Sequence, residues 1–386
     1  MPSSAERRTS SPQSYMRLKA VEAMDEATGH EPLTRSTRPS FLGRKVVASA
    51  VLVMLLGAYL ALDAYVWSER DVVKTNPPPA SELQPGRVLS DEPVYISGEG
   101  TGNFRTRCDE SHVNHDDPLV YPGQVDAAHE HVFFGFPETD AFTTVDDLIN
   151  ATAPTTCEGG SLNQAAYWVP SLYAADGTRV PYVEPLFYYK SGFHIPADLI
   201  QAPPEGLVMI AGHDRPEPQD VISAKYRCEH WEAPSPQFDE GDPMDHVPYL
   251  PDCQPGELLE FRVVFPQCWD GVNLTSDNQR SHMSYPILAE APHTGTGQCP
   301  DSHPVPIPEI SYKFAYWVTE ETGPSDTWYL SSDMNASHPN GSSLHGDWMN
   351  GWDADIMDLI VQNCINPGYD CGVGLLGDGT RLQELD

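Results

Sequence analysis

Apolar positions fall into two regimes along the chain. Val46 to Leu62 is a run of seventeen uncharged, mostly apolar residues, continued past Asp63 by Ala64, Tyr65, Val66 and Trp67. A bilayer core takes about 20 such residues, and Tyr65 and Trp67 suit the headgroup level. Arg44 and Lys45 flank the near side, with further Lys and Arg before them, so the positive-inside bias predicts a single-pass signal anchor. A cleaved signal peptide is the second reading. It fits less well, because the preceding region is forty-five residues long and no small-x-small site follows. The expected layout is a cytoplasmic disordered tail over 1–45, a transmembrane helix over 46–67, a Pro-rich stalk over 68–93 and an extracellular domain over 94–386, fixed to the cell membrane.

Beyond Val94 the apolar residues come in short runs separated by Gly, Pro, Asn and Asp clusters, the pattern of strands joined by turns. Strands are predicted at Phe104–Arg107, His131–Phe136, Ala165–Tyr173, Tyr182–Tyr189, Leu207–Ala211, Leu258–Phe265, Ile310–Val318 and Thr327–Leu330. Helical spacing is confined to two segments. Thr144–Asn150 has Thr144 and Asp147 in capping-box spacing, and Asp353–Ile365 carries Ile356, Leu359, Ile360 and Cys364 on one face. The predicted fold class is therefore mainly β, a two-sheet sandwich-like domain with long loops and few helices.

Charge and cysteine content sharpen this. Taking the eight basic and five acidic residues of 1–45 from the totals of 22 and 56 leaves 14 and 51, a net charge of −37 on the remainder. Such a surface excludes nucleic acid as a partner, because phosphate binding needs a basic stripe. All eight cysteines (Cys108, Cys157, Cys228, Cys253, Cys268, Cys299, Cys364 and Cys371) follow the apolar run. An even count on the exported side reads as a disulfide framework, and no C-x₂-C pair supports a cysteine zinc site. Most of the connectivity is open; Cys364–Cys371 and Cys228–Cys253 are the local closures expected.

Several motifs stand out. Asp117-Pro118-Leu119-Val120-Tyr121-Pro122-Gly123 leads to His129-Glu130-His131-Val132-Phe133-Phe134-Gly135, then Tyr167-Trp168-Val169-Pro170-Ser171-Leu172-Tyr173. Phe265 to Leu274, Ser281-His282-Met283-Ser284-Tyr285-Pro286, Cys299 to Pro304 and Leu344 to Asp353 follow. In order and content they resemble the DUF1996 family, a secreted domain of fungi and bacteria, over residues 103–366. Where that family reads S-H-V-H, this chain has Ala128-His129-Glu130-His131. The resemblance implies an extracellular setting, and in fungi the company of carbohydrate-binding or cell-wall-sensing modules. It implies no particular chemistry.

The residues themselves suggest some. On a strand, positions i and i+2 share a face, so His129 and His131 can converge on one point. Taken alone the pair is better read as one buried, hydrogen-bonded histidine and one surface histidine. His282 and His345 lie in motifs that read as loops, and with the pair they make four candidates for one site, with Asp270 and Asp347 as carboxylates that orient imidazoles. As metal ligands, three or four imidazoles suit zinc or copper rather than calcium or magnesium. As a catalytic set without metal, the same six residues offer acid–base groups. Ser281 beside His282 does not make a triad, and no G-x-S-x-G elbow is present. Asp353 reads as a helix N-cap and His303 as structural, while His112, His115, His194, His213, His230, His246, His293 and His338 lack distinguishing context. Trp168, Trp269, Trp348 and Trp352 serve either as sugar-stacking faces or as core.

Three functions follow as expectations. The first is a surface-anchored enzyme acting on extracellular or cell-wall polysaccharide through the histidines. The second is a non-catalytic glycan- or wall-binding module using the tryptophans, and the third a metal-binding surface protein.

Overall fold

Two large sheets share one core. The computed structural model describes residues 72–385, apart from 98–100, 184, 193, 214–222, 230–245, 288–296 and 334–337. The expected tail and membrane helix lie outside the described residues. Among the described residues no helix is long and apolar enough to cross a membrane.

One sheet has seven strands, in the order Ala224–Glu229, Leu258–Val264, Glu309–Trp317, Leu186–Lys190, Asn103–Arg107, Tyr369–Val373 and Tyr95–Ile96. Its pairings are antiparallel except that Tyr369–Val373 runs parallel to Asn103–Arg107. The other has five antiparallel strands, in the order Glu110–Asn114, His131–Gly135, Ala166–Pro170, His345–Met349 and Val208–Gly212. Between them lies a layer of aromatic rings. Tyr167 meets Phe187 at 4.3 Å and Tyr312 at 5.7 Å between ring centroids, and Phe134 meets Phe314 at 5.4 Å. Such close, tilted ring pairs add to the gain from burying the area.

The two sheets differ in what covers their outer faces. The seven-stranded sheet shows alternation: Tyr226, Phe261, Tyr312 and Phe314 point inward, while Lys225, Arg227, Arg262 and Lys313 take the other face. Glu260 is buried within that outer row, paired with Arg227, Arg262 and Lys313. The five-stranded sheet is buried on both sides, every residue of four of its strands being buried. Phe133, Trp168, Val208 and Met349 form a second apolar cluster on its outer face with Leu148 of the helix Val145–Ile149.

Most predicted strands are present with shifted ends. Ala165–Tyr173 breaks at Ser171 into Ala166–Pro170 and Leu172–Tyr173, Tyr182–Tyr189 narrows to Leu186–Lys190, and Thr327–Leu330 keeps only Tyr329–Leu330. Ala224–Glu229, Glu110–Asn114 and Tyr369–Val373 are strands that were not expected, and His345–Met349, read as loop, lies inside the five-stranded sheet. For His345–Met349, Gly346 explains both the reading and the placement. A Cβ there would lie 3.1 Å from the Tyr312 ring and 3.2 Å from Val263, so the glycine that looks like a turn signal is a packing requirement.

Both helices form where expected. Thr144 and Asp147 make the capping box, and Asp353 caps Ala354–Ile360 by accepting from the Ile356 N–H. The second helix continues as a wider π turn over Val361–Ile365. Ordered packing reaches back into the segment read as a stalk: Arg87–Leu89 pairs with Thr380–Leu382, and Val73 N–H bonds Val94 O. The eight cysteines form four disulfides, Cys108–Cys157, Cys228–Cys253, Cys268–Cys299 and Cys364–Cys371, which include both closures expected from spacing.

Two predictions follow from this packing. Gly346→Ala should cost about 1–3 kcal/mol by overpacking against Tyr312, measured by denaturant unfolding. For Glu260, burial alone would raise the carboxyl, but Arg262, a hydrogen bond with Glu229, Lys313 and Arg227 together outweigh it and hold the pKa well below the usual range. A depressed folded pKa gives stability that is present in full above the ordinary Glu value of about 4.3 and is lost as pH falls from there through the lower folded pKa. Glu260→Gln should therefore lower stability at neutral pH and flatten the acid limb of a stability–pH curve.

Candidate metal centre

Three imidazoles meet at one end of the outer face of the five-stranded sheet. His131 begins its strand and shares a face with Phe133; His345 begins another and shares a face with Asp347 and Met349. His129 precedes His131 by two residues, and the same-face rule brings its ring within 4.2 Å of the His131 ring, centroid to centroid. His129 Nε2 lies 3.1 Å from His345 Nε2, and His131 Nε2 lies 3.3 Å from it. One ring nitrogen from each of the three falls within 4.8 Å of the others.

The other ring nitrogens fix the tautomers. His131 Nδ1 is 3.1 Å from the Asp116 carbonyl oxygen, and His345 Nδ1 is 2.8 Å from that of Ser343. A carbonyl only accepts, so both Nδ1 atoms donate and both Nε2 atoms present lone pairs to the shared point. A proton is a poor bridge there. Burial, followed by the neighbouring His129 and His345, pushes the His131 pKa well below the ordinary value, and burial takes His345 down to about 4. Converging imidazoles, two of them kept neutral and held by backbone carbonyls, make a donor set suited to a late first-row metal ion. Tetrahedral bonds of 2.0–2.1 Å to zinc would separate ligand nitrogens by about 3.3–3.4 Å, in line with the 3.1 and 3.3 Å found.

Carboxylates complete the surroundings. Asp347 is fully buried, with Oδ2 3.9 Å from His345 Nε2. Asp117, His131 and Asp347 form a second group whose donor atoms lie within 4.8 Å of one another. Asp117 Oδ1 also accepts from the N–H groups of Leu119 and Val120, which holds the loop over the sheet end.

The centre opens on a cleft of about 880 Å³, whose walls include His115, Glu130, Tyr173, His213, Arg280 and Ser332. His129, His345 and Asp347 reach its floor, while His131 is sealed beneath it. The Tyr173 hydroxyl donates to Glu130, and its own pKa is pushed up to about 12 by burial and by that carboxylate.

Residues 117–352 match the sequence model of a family described as Domain of unknown function (DUF1996). The chain belongs to this family. His129, His131, His345, Asp117 and Asp347 all fall within the matched region. No curated protein and no solved structure matches the chain.

Two of the six expected site residues lie elsewhere. His282 is buried, with Nε2 2.8 Å from Val208 O and Nδ1 3.1 Å from Ser276 Oγ. Val208 is four residues along its strand from Gly212, the partner of His345; at about 3.3 Å per residue that is roughly 13 Å. The structure brings His129, His131 and His345 together and leaves His282 out of the cluster. Asp270 instead closes its own turn, accepting from Val272 N, Asn273 N and Asn273 Nδ2. Asp117, Glu130, Tyr173 and Arg280 were missed, although the first three stand inside motifs that carry the family resemblance. His115 and His213, read as featureless, line the cleft.

His282 is a clasp on the sheet edge. Val208–Gly212 is an edge strand, and the His282 imidazole covers one of its outward carbonyls. His282→Ala should lower stability by about 1–3 kcal/mol through a carbonyl left unpaired. Metal content should stay at the wild-type level, measured on the same preparation by elemental analysis.

Proposed function

We propose that the domain is a metal-dependent enzyme, with zinc or copper held by His129, His131 and His345 and with its open side toward the cleft. The observation that carries this reading is the pair of buried Nε2 lone pairs 3.3 Å apart, each aimed by a backbone carbonyl. Three protein ligands with an open position are the arrangement of catalytic sites, whereas structural zinc sites are closed. An ion in such a site supplies a Lewis acid and an activated water at neutral pH. Glu130, kept in place by Tyr173, is the carboxylate available to take a proton in the cleft. Asp347 orients the centre from below.

A polyhydroxylated substrate of the glycan type fits the cleft, where Asn278, Gln279, Ser331 and Ser332 offer neutral polar groups and Tyr121 an exposed ring. The binding-module reading loses its support, because Trp168, Trp348 and Trp352 are fully buried and Trp269 donates to Asn273 O in its own turn. Four disulfides favour an oxidising, extracytoplasmic setting, consistent with an anchor over residues 46–67 and a cell-wall polysaccharide as partner.

Elemental analysis of the purified full-length chain should find one zinc or copper per molecule. His131→Ala should abolish it with the fold retained, and Asp347→Asn should weaken affinity by about 10–100-fold. A polysaccharide activity screen should turn positive only without chelator. A wild-type chain that takes up no metal, or a His131→Ala variant that keeps it, would overturn the proposal.

A further inference from the structure

Basic residues are scarce in this chain, and most arginines among the described residues are matched with a carboxylate. Arg87, Arg105, Arg179, Arg227, Arg262 and Arg381 each form an ion pair with Asp or Glu. Arg280 makes none among the described residues, although the chain carries 56 acidic residues against 22 basic ones. Its side chain is half-buried in the wall of the metal-centre cleft, where Nη1 donates to Ile210 O at 3.1 Å. One N–H is thus spent on the sheet edge, and the rest of the guanidinium fork is left for the cleft.

The loop beneath it is built to hold that position. Asn278 Oδ1 accepts from the N–H groups of Arg280 and Ser281, and Gln279 adopts the left-handed backbone conformation at φ 55°. Two residues on, His282 pins the same loop to Val208 O. Arg280 and His282 together cover successive outward carbonyls of one edge strand, so the arginine sits at a fixed height above the centre.

We infer that Arg280 recognises a single carboxylate on the substrate, which makes the substrate a glycan bearing a sugar acid. This deepens the proposed function and rests on it for the idea that the cleft is a substrate site. A guanidinium fork matches a carboxylate in a bidentate fashion. Phosphate has the same donor requirement, but charge separates the two. Asp117, Glu130 and Asp347 line the same cleft and the whole chain carries −34, so a dianion or a dense polyanion meets more repulsion than one isolated carboxylate. Neutral Asn278, Gln279, Ser331 and Ser332 remain for the hydroxyls around it.

The test is a titration of the full chain with glucuronate, glucose and inorganic phosphate at fixed ionic strength, read by calorimetry or chemical shifts. Wild-type protein should bind glucuronate about tenfold or more tighter than glucose, as expected for hydrogen bonds to a charged group. Arg280→Gln should bring the two within about twofold, and Arg280→Lys, which keeps charge but not the fork, should fall between. Thermal unfolding of Arg280→Lys shows whether losing the bond to Ile210 O, rather than the fork, explains any change. Metal content is measured in every variant. A glucuronate preference that depends on Arg280 in a chain without metal would leave this inference standing and remove the metal reading; unchanged metal with no such preference would do the reverse. Equal affinity for glucuronate and glucose in the wild type, a preference that survives Arg280→Gln, or phosphate binding tighter than glucuronate would each overturn it.

Discussion

The strand His345–Met349 is buried on both faces, and that constraint organises the molecule. Gly346 lets the Tyr312 ring come against the backbone from the seven-stranded sheet, and the Tyr312 hydroxyl donates to the Asp347 carbonyl at 2.7 Å. With its inward side taken by aromatic packing, the strand turns His345 and Asp347 the other way. Those two side chains therefore sit on a platform braced by the whole sandwich core. The adjoining strand Ala166–Pro170 sets the spacing to His131, which pairs opposite Pro170. Rigid placement of this kind is what a metal site requires, because ligand nitrogens must be held within a fraction of an ångström.

Polar groups so deeply buried have to be compensated, and the compensation here comes from backbone carbonyls. Asp116 O and Ser343 O take the Nδ1 protons of His131 and His345 and leave the Nε2 atoms aimed together. Asp116 is fixed in turn: its carboxylate accepts from Asp126 N and Ala141 N. The loops thus serve the site as directly as the strands do. The edge strand Val208–Gly212 shows the same economy, with His282 and Arg280 closing its exposed carbonyls and Arg280 also lining the cleft.

Much of this was legible in the chain, for reasons that also explain the rest. Period-two spacing identified His129 and His131 as neighbours because alternation is a property of any strand. Helix caps at Thr144 and Asp353 were readable because capping is local chemistry. His345 was recognised as a candidate but placed in a loop, since Gly346 and Asp347 are poor strand formers and only the Tyr312 contact explains them. His282 reads in the sequence as a companion of the other three histidines because its motif is rich in polar residues, whereas its partner in the fold, Val208 O, is 74 residues away. Arg280 carried no local signal. Its significance emerges from a comparison with the ion-paired arginines of the described residues, which requires the tertiary structure.

The central claim is that three imidazoles hold one transition-metal ion at the floor of the cleft. X-ray absorption at the metal edge tests it most directly, on full-length protein loaded with zinc or copper and freed of excess ion. The account predicts a shell of three nitrogens at about 2.0–2.1 Å with the outer-shell scattering of imidazole rings, plus a light oxygen ligand. That imidazole scattering should vanish in His345→Ala and persist in His282→Ala. A spectrum dominated by oxygen ligands, or one that is the same in all three proteins, would contradict it.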